Sequence, residues 1–243
     1  MHYFASDIHL GAGTEQEARQ TEQRFVAWLD CVAEDAETVV LAGDIFDFWF
    51  EYREVVPKGF VRTLGKIAEL TDRGIRVLFF TGNHDMWVGD YLTKECGITL
   101  FTEPQTLSLA GKTLFVAHGD NMNIKNMPVL RVMNAMFRSK SLRWLVSWLV
   151  HPNCFVRFGK WWSGRSRKSH GEAVNAKVLE PLIRYATDYG KEHDVDYFIF
   201  GHMHYAADIT EPERMLFMGD WHSQPTYISL DNNGEIKLNY ING

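Results

Sequence analysis

Cysteine is scarce in this chain of 243 residues: Cys31, Cys96 and Cys154 are widely spaced, odd in number and without a CxxC pair. That usage argues against a disulfide framework or a thiolate metal site, and a reducing compartment is the expectation. Long apolar runs are missing too. None reaches the ~18 residues a membrane-spanning helix needs, and the chain opens directly in a strand pattern with no basic-then-apolar leader, so neither secretion nor a membrane span is expected. Internal repeats and low-complexity linkers are also lacking. A further absence is local. Residues 121–171 contain no Asp or Glu but ten Lys and Arg, so this stretch carries +10 and the rest of a chain of net charge −6 carries −16. A basic segment on an acidic protein points to an anionic partner: a phosphorylated substrate, a lipid surface or nucleic acid.

What is present begins with core material. Hydrophobic residues make up 46% of the chain, ample for one filled domain over residues 1–243. The apolar runs share a pattern. Residues 38–47 (TVVLAGDIFD) rise as an unbroken β-branched run and stop at Gly43, Asp44 and Asp47. Residues 2–9 (HYFASDIH), 77–85 (VLFFTGNHD), 113–120 (TLFVAHGD) and 197–204 (YFIFGHMH) repeat the device, each ending in Asp, Asn or His. Such runs fit strands covered on both faces, and ligands of open α/β sheets collect at the carboxyl ends of the strands. Five tips that end this way are expected to converge on one cationic centre.

Between the runs, Phe25, Trp28, Leu29 and Val32 recur at helical spacing, and Phe60, Leu64 and Ile67 mark a second helix stopped by Gly74. Strand, helix, strand alternation predicts parallel pairing. Residues 99–116 read as two strands around a turn, and Phe48-Trp49-Phe50 as core before pocket wall. Residues 128–137 and 173–189 have helical faces, and Asn232-Asn233-Gly234 predicts a closing hairpin. Residues 142–150 (LRWLVSWLV) are apolar almost all round, so protein, lipid or a partner must cover them.

The candidate metal donors are Asp7, His9, Asp44, Asn83, His118, His202 and His204. In Asp7-x-His9 and His202-x-His204, i and i+2 share one face of an ideal strand, so each pair is expected to meet one ion. Oxygen and imidazole donors without thiolate suit Mn²⁺, Fe²⁺ or Zn²⁺ rather than Ca²⁺ or Mg²⁺. Seven donors exceed one tetrahedral site and suffice for two ions bridged by a carboxylate, for which Asp44 is the choice. Two ions ~3.5–4 Å apart clamp the attacking and leaving oxygens of a displacement at phosphorus.

Asp7-x-His9, Gly43-Asp44-x-x-Asp47, Gly82-Asn83-His84-Asp85, His118-Gly119-Asp120 and Gly201-His202-x-His204 together resemble the five blocks of the calcineurin-like metallophosphoesterases. The resemblance implies a four-layered α/β/β/α sandwich with a dinuclear centre, most readily of Mn²⁺, held by these seven residues. Within that superfamily the chain is similar to the UDP-2,3-diacylglucosamine pyrophosphatases of lipid A synthesis. The likeness lies in length, in Asp44-Ile-Phe-Asp47 followed by aromatics, in the insertion after Asp120 and in Gly-x-Trp-His at 219–222. It implies a peripheral enzyme on the cytoplasmic face of the inner membrane, releasing UMP and lipid X, with a helical lid at about 122–170. Candidate catalytic residues are then His84 and Asp85. Candidate substrate contacts are Asn83, His84, Asn126, Arg157, Arg165, Arg167, Lys168, Ser169 and His202. The chain departs from that group in one place: the best-known members carry Arg where His84 stands, so His84 is expected to act as general acid or electrostatic stabiliser.

The competing reading is a soluble phosphodiesterase or nucleotide hydrolase with a polar substrate. A nuclease is disfavoured, because a groove for a polymer is not roofed by a greasy helix. A fold kept for binding alone is disfavoured by the intact donor set.

Overall fold

The computed structural model describes residues 1–122, 132, 135, 136, 138–170 and 176–241. Two sheets lie face to face. The first has strand order β11-β10-β1-β2-β3-β4, built from β1 (His2–Ala5), β2 (Thr38–Ala42), β3 (Arg76–Phe80), β4 (Thr99–Phe101), β10 (Thr226–Leu230) and β11 (Ile236–Tyr240). The second has order β5-β6-β7-β9-β8, from β5 (Gln105–Leu109), β6 (Lys112–Ala117), β7 (Tyr197–Phe200), β8 (Ala207–Ile209) and β9 (Met215–Phe217).

Strands β1 to β4 run parallel, with Ala5 beside Leu41 and Ala42 beside Phe80; β6, β7 and β9 also run parallel, with Ala117 beside Phe200. The unbroken apolar runs follow from burial on both faces. Val39, Leu41, Val77 and Phe79 point outward to α1 (Glu15–Val32), α2 (Val61–Asp72) and α3 (Tyr91–Cys96), whereas Val40, Ala42, Leu78 and Phe80 point inward to Leu114, Val116 and Ile199 of the second sheet. Phe115, Ala117, Phe198 and Phe200 face outward again, onto Leu182 and Ala186 of α6 (Glu180–Gly190). Three apolar layers thus separate four structural layers, α/β/β/α. Helix α1 starts at a capping box, Thr14 with Glu17, which satisfies end amides that would otherwise be orphaned.

Residues 99–116 differ from the expected pair of strands. Three form, because the chain changes sheet between β4 and β5 at Glu103-Pro104; β5 and β6 make the hairpin. Parallel neighbours oblige the carboxyl ends of β1, β2 and β3 to lie side by side, and those of β6 and β7 likewise.

Between β6 and α6 the described chain forms α4 (Lys140–Leu149) and α5 (Pro152–His170). Most of the helix expected at 128–137 lies outside the described residues. Helix α4 is tied to the body where Arg143 donates to the Val88 carbonyl (3.3 Å) and Tyr52 donates to the Val150 carbonyl (3.2 Å). Arg138 reaches the Thr102 carbonyl at 2.8 Å and Asp120 at 3.1 Å. Phe155 of α5 packs against Phe48, Phe50 and Trp87.

Candidate metal centre

The donors do not sit on the strands. Strand β1 ends at Ala5 and β7 at Phe200, so Asp7, His9, His202 and His204 lie in the loops beyond. Five donors adopt left-handed backbone: Asp7 (φ 56°), His9 (48°), Asp44 (54°), His202 (67°) and His204 (51°). Non-glycine residues rarely hold that conformation, and its concentration here marks a site that the surrounding fold over-determines. The i, i+2 expectation fails for one pair for this reason. Asp7 and His9 meet in one cluster with His204, His9 also meets Asp44 and His84, and His202 joins Asp44 and His118 in a third group. Strand alternation cannot govern residues whose backbone has left the strand.

Within the first cluster His9 Nε2 is 3.1 Å from His204 Nε2, and His204 Nε2 is 3.3 Å from Asp7 Oδ1. In the third, His118 Nε2 stands 3.3 Å from Asp44 Oδ2 and 3.2 Å from Asn83 Oδ1. Asp44 Oδ2 also lies 3.9 Å from both His9 Nε2 and His84 Nε2, so this carboxylate stands between the first and third groups. Neighbouring backbone aims several donors. His118 Nδ1 donates to the Ala42 carbonyl at 3.0 Å, which leaves Nε2 free as a ligand; Asp7 accepts from Ser6 Oγ at 2.6 Å and from the His202 amide. Two motif glycines are explained by close approach. A Cβ at Gly82 would stand 2.2 Å from Asp44 Oδ1, and one at Gly201 2.6 Å from Asp7 Oδ2.

The electrostatics fit cations. Asp7 and Asp44 are buried, and among the described residues their ion pairs are with histidines alone. Burial opposes charge on Asp7, yet His204 and His118 hold its carboxyl at about 2. Burial likewise opposes charge on Asp44, and His118 and His84 outweigh it. Burial pushes His9 well down and His202 down to about 4, leaving both imidazoles neutral as ligands must be. His118 and His204 move up despite burial because Asp44 and Asp7 stand beside them. Protons there balance carboxylates that divalent ions would balance better, so the donor set fits such ions.

Two expected site residues have other placements. Asp85 is turned away from the cluster: its carboxylate accepts the amides of Gly82 (2.7 Å) and Ile45 (2.8 Å), with Asp44 and Phe46 amides at 3.4 Å. Fully buried and so engaged, it shapes the Asp44 loop, and burial with the neighbouring Asp44 pushes its carboxyl up to about 7. Asn126 lies outside the described residues. Arg165, Arg167, Lys168 and Ser169 lie on the last turns of α5, and their side chains are outside the described set. Arg157 lines a cavity of about 550 Å³ that also touches Asp47, with Lys58 and Lys160 and with Phe48, Phe50, Val56, Phe60 and Val156 as apolar wall. Phe48 and Phe50 are therefore both core and wall. Across Phe48 a smaller cavity of about 50 Å³ is lined by Asn83, His84, Trp87, Phe158 and Ser163.

Sequence reasoning missed Ser163. Its hydroxyl donates to Asp47 Oδ1 at 2.5 Å and lies 3.0 Å from His84 Nδ1. A lone Ser in a run of aromatics and cations carries no motif; its signal is burial.

The chain matches the family model described as calcineurin-like phosphoesterase over residues 3–206. It is 38% identical to a UDP-2,3-diacylglucosamine hydrolase of Porphyromonas gingivalis, over 94% of this chain and 93% of that protein. Proteins of the same name from Pseudomonas aeruginosa and Histophilus somni are each 26% identical, covering 95% and 96% of this chain and 95% and 97% of their own lengths. Since the matched span takes in every loop that brings a donor to the cluster, the chain belongs to the calcineurin-like phosphoesterases and is a metal-dependent hydrolase.

Proposed function

We propose that this chain hydrolyses UDP-2,3-diacylglucosamine to UMP and 2,3-diacylglucosamine 1-phosphate (lipid X) in lipid A synthesis, with a dinuclear centre bridged by Asp44. In this reading Asp7, His9 and His204 would hold one ion and Asn83, His118 and His202 the other. Mn²⁺ is the preferred metal, with Fe²⁺ and Zn²⁺ also compatible with the donors. When bound, such ions polarise a phosphoryl oxygen and make water a nucleophile near neutral pH. The protein supplies the rest. His84, beside Asp44 and Asn83, protonates the leaving oxygen or stabilises phosphoryl charge. The Asp85-held loop fixes Asp44, and the cavity binds the remainder of the substrate.

The observation that carries the substrate is that cavity. Its wall joins six apolar side chains or more to three cations, Lys58, Arg157 and Lys160, next to Asp47, which is 3.8 Å from His9 Nδ1. A diphosphate bearing two acyl chains needs both chemistries together, and this wall supplies both. The apolar residues of α4 do not line it. Trp144, Trp148 and Leu149 of α4 are exposed, as are Phe158, Trp161 and Trp162 of α5, and neither helix carries an acid, so the insertion presents apolar and aromatic side chains among cations. That surface suits the headgroup region of a membrane and supports peripheral attachment at the cytoplasmic face of the inner membrane. No helix among the described residues is long and apolar enough to cross a membrane.

The test compares kcat/KM for the diacylated sugar nucleotide and for a small chromogenic phosphodiester in wild type and Val156→Ala, with the fold checked by circular dichroism. Loss of one to two buried methylenes' worth of contact, ~0.8 kcal/mol each, predicts a fall of about tenfold on the diacylated substrate and little on the small one. Equal losses, or no hydrolysis of the diacylated substrate by wild type, would leave the polar-substrate phosphodiesterase in its place.

A further inference from the structure

We propose that Ser163 is a positioning residue through which the seated helix α5 sets the ring of His84. The proposal rests on the hydrolase reading for its activity arm only. Ser163 is 1% exposed although Trp161 and Trp162 beside it are 59% and 45% exposed, so its hydroxyl has been placed in the interior by packing. The packing is legible at i+4 spacing: Phe155, Gly159 and Ser163 form one stripe of α5. Phe155 meets Phe48, Phe50 and Trp87; at Gly159 the helix backbone comes so near Phe48 that a Cβ would stand 2.3 Å from its ring. That approach carries Ser163 to Asp47 and His84, which belong to the loops after β2 and β3.

The hydrogen-bond roles then follow from the atoms. Asp47 Oδ1, as a carboxylate, accepts, so the Ser163 hydroxyl donates to it and offers His84 only its lone pairs. The Asp47 carbonyl, 2.9 Å from His84 Nδ1, also accepts. With acceptors on both sides, Nδ1 carries a hydrogen, and Nε2 is the atom left facing Asp44; as general acid the ring would be the imidazolium and give its second hydrogen from Nε2. One side of this clasp comes from the body and the other from the insertion. A shift of α5 therefore removes one of the two polar contacts at His84 Nδ1, which ties the chemistry at His84 to the seating of the helix that walls the substrate cavity.

The test is a double-mutant cycle with a spectroscopic arm. Activity on a small chromogenic phosphodiester with Mn²⁺ is measured for wild type, Ser163→Ala, His84→Ala and the double variant. Ser163→Ala is expected to lower kcat by about 10- to 100-fold with KM changed much less, the scale of a misplaced reacting group. Added to His84→Ala it is expected to have no further effect, because it acts through a ring no longer present. Ser163→Thr, which keeps the hydroxyl, is expected to regain most of kcat. In metal-free, ¹⁵N-histidine-labelled protein, the Nδ1–H resonance absent from His84→Ala is expected in wild type and is expected to shift and to exchange faster with solvent in Ser163→Ala, where only the Asp47 carbonyl still accepts it. Losses that multiply in the double variant, or a resonance unmoved by Ser163→Ala, would overturn the proposal. Absence of hydrolysis by wild type would sink the hydrolase reading alone, with the resonance still deciding whether Ser163 holds the ring.

Discussion

His84 and Asp85 are neighbours in sequence with opposite assignments, and substitution separates them. His84 faces Asp44 Oδ2 at 3.9 Å and is absent from the proposed ligand sets, so His84→Ala is expected to lower turnover by ~10²–10⁴ with metal content unchanged in elemental analysis. Asp44→Ala is expected to lose both metal and activity. Asp85→Ala strips two short and two longer hydrogen bonds from buried amides; at about 1–3 kcal/mol per group left unsatisfied, a loss of at least about 3 kcal/mol is expected in denaturant unfolding. The convergence of the donor side chains was legible because Asp, Asn and His recur at the ends of five buried runs, a joint pattern that a single turn motif does not make. Their division between clusters was not. That division depends on five left-handed residues, and nothing in an Asp-x-His spelling reports φ.

At the scale of elements, legibility tracked locality. Runs such as residues 38–42 and 77–80 announced strands because each face meets its own apolar layer, and Phe25, Trp28, Leu29 and Val32 announced α1. The change of sheet at Glu103-Pro104 could not be read, since membership of a sheet is decided by partners far along the chain. Helix α5 was obscure for another reason: its inward stripe contains Gly159 and Ser163, which no hydrophobic pattern records. Gly159 offers a test in which two effects oppose. In an exposed helix Gly→Ala stabilises by roughly 1 kcal/mol. Here the new Cβ meets Phe48 at 2.3 Å, so Gly159→Ala is expected to lower the melting temperature and the activity together. Adding Phe48→Leu should relieve the clash, and the pair is expected to be less impaired than Gly159→Ala alone; calorimetry and kcat/KM of the three variants check the order.

For the whole molecule the governing feature is where charge and grease lie relative to the site. The stretch of +10 is not all free for an anionic partner, because Arg138 and Arg143 reach Asp120 and the carbonyls of Thr102 and Val88 and so hold the insertion to the body. Arg157 and Lys160 line the cavity, on the same helix that exposes Phe158, Trp161 and Trp162. A substrate that lives in a bilayer could therefore leave it beside the cavity while its phosphates remain among cations. Two attractions would hold the protein there, and they respond to different variables. Partition of Trp148 and Leu149, each 74% exposed, is insensitive to salt, whereas attraction of Lys and Arg to anionic headgroups decays within ~10 Å at 0.1 M salt and ~3 Å at 1 M. Sedimentation with vesicles containing phosphatidylglycerol is expected to bring down wild type at low salt, less of it at 1 M salt, and little of Trp148→Ser/Leu149→Ser at either. Hydrolysis of a small soluble phosphodiester by that variant is expected to match wild type, since neither residue lines the cavity or meets a donor. Equal sedimentation of variant and wild type would assign membrane contact to some other face, and failure of both to sediment would leave the enzyme to take its substrate from solution.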